Sequence, residues 1–229
     1  MSAATQYKRV RAELDAECAR VGRDSKEVLL LAVSKTVDID KVDLAMQAGA
    51  HAFGENRPDE LLRKQKAFPD AEWHFIGNIQ SRRIADIVSA ATLIHSVCKE
   101  SHLAKIDAAA AAIGKTQRVL LEVNVSGEES KSGFAPEEVQ GVIDRAQGLQ
   151  HVAIEGLMTM APQGDEEAIV ATFSGLQHLK TDLDEELSRD GRVRLSALSM
   201  GMSEDWCEAL RFGTTIVRVG RAIFDEAFA

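Results

Sequence analysis

The chain has 229 residues, 45% hydrophobic and 28% charged, an ordinary globular composition with material for a sizeable core. Its net charge of −9 excludes general affinity for nucleic acid or anionic membrane, since both demand clustered positive charge. Its three cysteines with no CxxC give no disulfide framework or zinc pattern, and no stretch approaches the roughly 20 apolar residues of a membrane span.

A reducing cytoplasm is the expected home. The N-terminal stretch is charged throughout and lacks the apolar core of a secretory signal. Residues 3–21 read as a helix, with Val10, Leu14, Cys18 and Val21 at spacings of three and four and Gly22 as the stop. The chain then alternates. Strand-like runs cover 28–33, 51–54, 72–76, 92–97, 117–125, 152–158, 193–198 and 215–219. Helical patterns lie near 39–49, 57–66, 78–90, 99–113, 135–147, 165–189 and 204–212, and the tail 222–229 holds a turn or two. Gly49, Gly114, Gly148, Gly191 and Gly213 punctuate the helix ends or the turns after them.

Parallel neighbours need helical crossovers, so this alternation predicts a parallel sheet. Eight units close a (β/α)8 barrel of the TIM type, with the N-terminal helix as an extra element. The competitor is an open doubly wound sheet, but no GxGxxG follows the first strand. Residues 1–229 read as one domain.

Functional groups of such barrels sit at the C-terminal ends of strands. The first strand delivers Lys35. Partial desolvation there would lower its amine pKa, and a neutral amine attacks aldehydes to give a Schiff base. A lysine that merely ends a strand and reaches into water is the plainer reading. Later strand ends give Glu55 and Asn56, then His74, Gly77 and Asn78, then His95 and Ser96, then Glu122 and Asn124. The last three give Met158 to Met160, then Ser199, Met200, Gly201 and Ser203, then Arg218, Gly220 and Arg221.

The loops after strands seven and eight commonly form a phosphate site in these barrels; ordinary turns are the alternative. Arg218 sits in an apolar run and needs a partner, for which Glu122 is a structural candidate. His74 reads first as a core histidine, and the methionines as apolar filler. Lys64, Lys66, Arg82 and Arg83 read as solvated helix faces, and 126–132 as a mobile polar loop, a possible lid.

The segments LLAVSKT, FGENR, WHFIGNIQS, IHSV, EVNVSGEESKSGF, GLMTMAP, LSMGMSEDW and VRVGRAIF occur in this order. Across about residues 5–224 the sequence resembles the YggS/PROSC family of pyridoxal 5′-phosphate (PLP) homeostasis proteins. These are similar to the N-terminal barrel of alanine racemase. The resemblance implies that Lys35 carries PLP as a Schiff base. It implies that Ser199, with N–H groups around Met200, Gly201, Gly220 and Arg221, holds the phosphate. It puts Arg218 against the pyridine nitrogen, Asn56 and His74 along the cofactor's side, and Met200 at its face or edge. No metal is implied. Pro58 after Arg57, Arg83 and Asp225 depart from the usual family pattern without touching these motifs.

Racemisation normally needs two bases, and in the racemases the second is a tyrosine from an additional domain. Here the chain ends directly after the barrel and the one tyrosine is Tyr7. The expectation is therefore a PLP-binding protein of intracellular vitamin B6 homeostasis, without dedicated turnover. PLP-dependent apo-enzymes would be its recipients, and it would be a monomer. A weak amino-acid racemase with Lys35 as base is the alternative. A cofactor-free Schiff-base aldolase is a third class.

Overall fold

The apolar runs of the sequence lie side by side and close on themselves. A computed structural model of the chain describes residues 1–189 and 195–228. Its strands β1 (Leu29–Val33), β2 (Ala52–Glu55), β3 (Glu72–Phe75), β4 (Leu93–Val97), β5 (Gln117–Glu122), β6 (Val152–Met158), β7 (Ala197–Ser199) and β8 (Ile216–Val219) pair in chain order. All neighbours are parallel, and β8 returns to β1, so the sheet is a closed barrel. The predicted (β/α)8 barrel is the observed one. Of the seventh predicted strand, residues 193 and 194 lie outside the described residues, as does Gly191.

The helices are α1 (Ala3–Arg20), α2 (Ile39–Gln47), α3 (Pro58–Ala67), α4 (Ile84–Ala90) and α5 (Glu100–Ala112). They continue with α6 (Val139–Ala146), α7 (Glu166–Arg189), α8 (Trp206–Ala209) and α9 (Arg221–Phe224). Helix α1 is the expected extra element. Ser2 caps it by accepting from the Thr5 amide, and its apolar stripe buries Tyr7, Val10, Leu14 and Cys18. Pro58 opens α3, where a missing N–H costs nothing. Three helical predictions began too early or ran too long. Single 3-10 turns at Ser81–Arg83, Pro136–Glu138 and Leu210–Phe212 occupy part of each. Strand five also stops at Glu122, beyond which Val123 makes one bridge to Phe134. No helix of the described residues is long and apolar enough to cross a membrane.

The apolar material divides in two. One layer lies between strands and helices, and includes Leu30, Ala32, Phe53, Trp73 and Ile94. The other fills the barrel itself with Leu31, Ala52, Leu93, Leu120, Met158 and Ile216. Side chains alternate across a strand. The residues two places after these therefore also point inward, nearer the C-terminal mouth.

Lys64 corrects the sequence reading. It is not on a solvated face: its side chain is 0% exposed, and its ammonium pairs with the equally buried Glu55 carboxylate. It also donates to the Ser34 carbonyl at 2.8 Å. A buried ammonium persists only with such partners.

Candidate functional site

At the mouth, strand periodicity turns five polar side chains inward: His74, His95, Glu122, Ser199 and Arg218. All are buried. Arg218 Nη1 donates to Ser199 Oγ at 2.6 Å, and Nη2 to the Thr159 carbonyl at 3.0 Å. His95 Nδ1 lies 2.9 Å from Ser199 Oγ, and His95 Nε2 lies 2.9 Å from His74 Nδ1. Arg218 makes no ion pair with any described carboxylate, so the expected contact with Glu122 is absent. Glu122 and Asp205 act on it only through space, and burial dominates, lowering its pKa to about 10. Burial likewise pushes Glu122 and Asp205 up and holds His95 well below the ordinary histidine value.

Above this layer lies a cavity of about 540 Å³, within the range of small-molecule sites. Arg218 reaches it from below, and Lys35 and Asn56 line one side with Gly77 and Asn78. Met202, Ser203, Gly220 and Arg221 line another part of the wall. A comparable cleft of about 580 Å³ beside Cys98, Glu100 and Arg145 lies between α5 and α6, outside the barrel mouth, and contains no lysine.

Lys35 is exposed, and its amine makes no hydrogen bond or ion pair with any described residue. The burial expected for its amine is thus not found. Its backbone is nevertheless well held. Ser34, its neighbour, donates through Oγ to Glu55 Oε1 at 2.9 Å. The Asn56 amide donates to Glu55 Oε2 at 3.3 Å. The buried Lys64–Glu55 pair therefore clamps the two turns that present Lys35 and Asn56.

The β7 and β8 turns meet across the cavity. The Gly220 amide donates to Ser203 Oγ at 3.3 Å, and Asp205 Oδ1 accepts from the Met202 amide at 2.5 Å. Arg221 and Glu204 pair at 2.9 Å on the rim. Gly201 is required here: its φ is +94°, and an added Cβ would lie 2.9 Å from Trp206 Cα. Arg221 and Ala222 open α9, so their amides have no intrahelical acceptor.

Of the residues assigned from sequence, Lys35, Asn56, Arg218, Gly220 and Arg221 come together at the cavity. His74, Ser199, Met200 and Gly201 do not line it. Ser199 lies beneath, 0% exposed, its hydroxyl committed to Arg218 and His95; Met200 is equally buried in the core. Ser203 and Met202, from the same loop, do line it. Asn78 and His95 were strand-end residues without a role. Residues 126–132 do not line the cavity either; Lys131 ties that loop to Ser126, Glu128 and the Met160 carbonyl.

Comparison with known proteins gives this arrangement a setting. The family of the alanine racemase N-terminal domain matches residues 10–227. A pyridoxal phosphate homeostasis protein of Aquifex aeolicus is 36% identical over 229 residues, covering 99% of each chain. The chain belongs to the pyridoxal phosphate homeostasis protein family. One solved relative in this group, PipY of Synechococcus elongatus with PLP bound, has a TM-score of 0.79 at 31% identity, over 92% of this chain and 99% of that one. The crystal structure of an unknown protein from Bifidobacterium adolescentis has a TM-score of 0.88 at 36% identity, over 97% of this chain and 94% of the other. These relatives share the barrel and most of this chain's length.

Proposed function

We propose that this chain binds PLP covalently through Lys35 and holds it for delivery to PLP-dependent apo-enzymes in the cytosol. One observation carries the reading: an unpartnered amine at the rim and a buried guanidinium on the floor share one cavity of suitable size. When bound, PLP supplies an aldehyde that an amine attacks and an electron-withdrawing ring. Lys35 is the amine. Arg218 donates towards the ring nitrogen and, being a cation, disfavours its protonation, which weakens the ring as an electron sink. Ser203 Oγ and the amides of the Gly220–Arg221 turn suit a phosphate, with Arg221 as counter-charge once Glu204 releases it. Asn56 and Asn78 fix the cavity's polar edge.

A carrier fits better than a two-base enzyme. Tyr7, the one tyrosine, is 4% exposed in α1 and borders a cleft with Gly49 and His51 on the N-terminal side of the barrel. It cannot serve the opposite face of a ring above Arg218. We take the carrier to act as a monomer.

The test is reduction of PLP-loaded protein with borohydride, followed by peptide mapping. A stable phosphopyridoxyl group on Lys35, lost in Lys35→Ala, is expected. Protein that stays colourless with added PLP, or carries the label elsewhere, rejects the reading. Solvent deuterium exchange at the α-carbon of alanine at about 1–10³ s⁻¹ would instead favour an enzyme.

A further inference from the structure

A hydrogen-bonded chain crosses the barrel beneath the cavity, and the function above leaves most of it unexplained. It starts at Arg218 on β8 and passes through Ser199 on β7, His95 on β4 and His74 on β3. All four side chains are buried. At its far end His74 Nε2 is buried without a hydrogen-bond partner among the described residues. The Glu72 carboxylate lies 3.6 Å beyond it, on the N-terminal side of the barrel.

We infer that this chain runs in one direction, and that His95 and His74 are positioning residues which, through Ser199, hold Arg218 ready for the cofactor. The inference rests on the PLP reading for its purpose, though not for its geometry. Direction follows from the two ends. A guanidinium can only donate. His74 Nε2 faces a carboxylate, where a proton is attracted and a bare lone pair repelled. A neutral imidazole has one N–H, so His74 Nδ1 must accept. His95 Nε2 then donates to it, leaving His95 Nδ1 to accept the Ser199 hydroxyl proton. Ser199 Oγ is left with lone pairs only, turned to Arg218 Nη1. The reverse order would set a lone pair against Glu72 and leave the Ser199 proton without an acceptor.

Aligned in this way, each link polarises the next and strengthens it in a low-dielectric interior. The guanidinium is then anchored at two points, Ser199 Oγ and the Thr159 carbonyl, and its remaining N–H groups are free for the cavity that it borders. The charged neighbours suit neutral rings. His95 is faced by His74 and Arg218; His74 is faced by Glu72 on its own strand and by Arg118 and His51. Burial outweighs Glu72 in keeping His74 uncharged.

Two measurements test the inference. The first is nitrogen-15 NMR of the histidine side chains in PLP-free protein. Both rings should be neutral Nε2–H tautomers at about pH 7–8. An Nδ1–H tautomer, or a charged ring, at either position overturns the direction. The second is a double-mutant cycle on PLP affinity. Ser199→Ala should weaken binding about tenfold, the loss of one hydrogen bond to a charged group, and His95→Phe should do so by a similar factor because Ser199 Oγ is then no longer oriented towards Arg218. His95→Phe should add nothing in the Ser199→Ala background. Additive losses would show His95 acting on the fold rather than through Ser199, and would reject the positioning role. Wild-type protein that failed to bind PLP would instead reject the function, while the tautomers still decide the direction.

Discussion

Lys64 and Glu55 show how a single pair of side chains supports a site that neither enters. Both are 0% exposed, and they hold the backbone on either side of Lys35 and Asn56. Lys64→Met leaves the Glu55 carboxylate buried without a counter-charge, held only by the Ser34 hydroxyl and the Asn56 amide. Unfolding free energy in denaturant should fall by about 3–5 kcal/mol, and replacing Glu55 by Leu as well should recover much of it. PLP attachment should stay impaired in the double variant, because the clamp on the Lys35 turn is gone even where stability returns. The buried histidines add a pH term of definite sign. Their folded pKa values lie below the ordinary 6.5, so below that pH the unfolded chain binds the extra protons. Stability is therefore lost as pH falls through and below 6.5, at up to about 1.4 kcal/mol per pH unit for each ring. Glu122 and Asp205 act in the opposite sense, since their raised values cost stability as pH rises through them. Because these terms overlap, the check is a difference: His95→Phe should flatten the acid limb by one proton. An unchanged slope would mean that His95 is charged when folded.

At the level of elements, the two faces of the barrel should respond differently to the same substitution. Gly77 follows β3 at the mouth, and a Cβ there would lie 2.1 Å from the Asn56 carbonyl oxygen. Gly77→Ala must push the β2 and β3 turns apart, and PLP affinity should drop about tenfold or more. Gly49 precedes β2 at the opposite end, with a φ of +103° and open space around it. Gly49→Ala should cost about 1 kcal/mol of stability and leave PLP affinity unchanged. Equal losses of affinity from both would argue that the barrel ends are not separable. The same division explains what was legible in the sequence. Buried parallel strands are rich in apolar residues and alternate with helical patterns, so the strands, β8 among them, could be placed from the sequence, and Lys35 and Arg218 followed as strand-end residues. The 3-10 turn at Ser81–Arg83 was hidden because its residues suit a helix equally well. Lys64 was hidden because a lysine on a charged helix reads as solvated and its partner Glu55 comes from a strand nine residues earlier, although its place three residues after the buried Leu61 puts it on the inward face. The inward direction of Ser199 was legible, since it lies two places after the inward Ala197, but its depth below the cavity was not, because Arg218 follows Ile216 by the same spacing and does reach the cavity.

On the scale of the whole molecule, a carrier is a protein whose stability depends on its cargo. A ligand that binds only the folded state adds about 2.7 kcal/mol at a hundred times its dissociation constant. For a chain of 229 residues this corresponds to a rise in Tm of roughly 5–10 °C. Wild-type protein with saturating PLP should show that rise in a thermal scan. Lys35→Ala retains Arg218 and the Ser203–Gly220 turn, so it should keep a smaller, fully reversible rise from non-covalent binding alone. Loss of all effect in Lys35→Ala would mean that the loop residues hold no phosphate. For a monomer, Tm is independent of protein concentration, whereas dissociation on unfolding makes an oligomer's Tm climb with it. Repeating the scans over a hundredfold range of protein therefore tests the assembly state together with the cargo, and a Tm that climbs would replace the monomeric carrier by an assembled one.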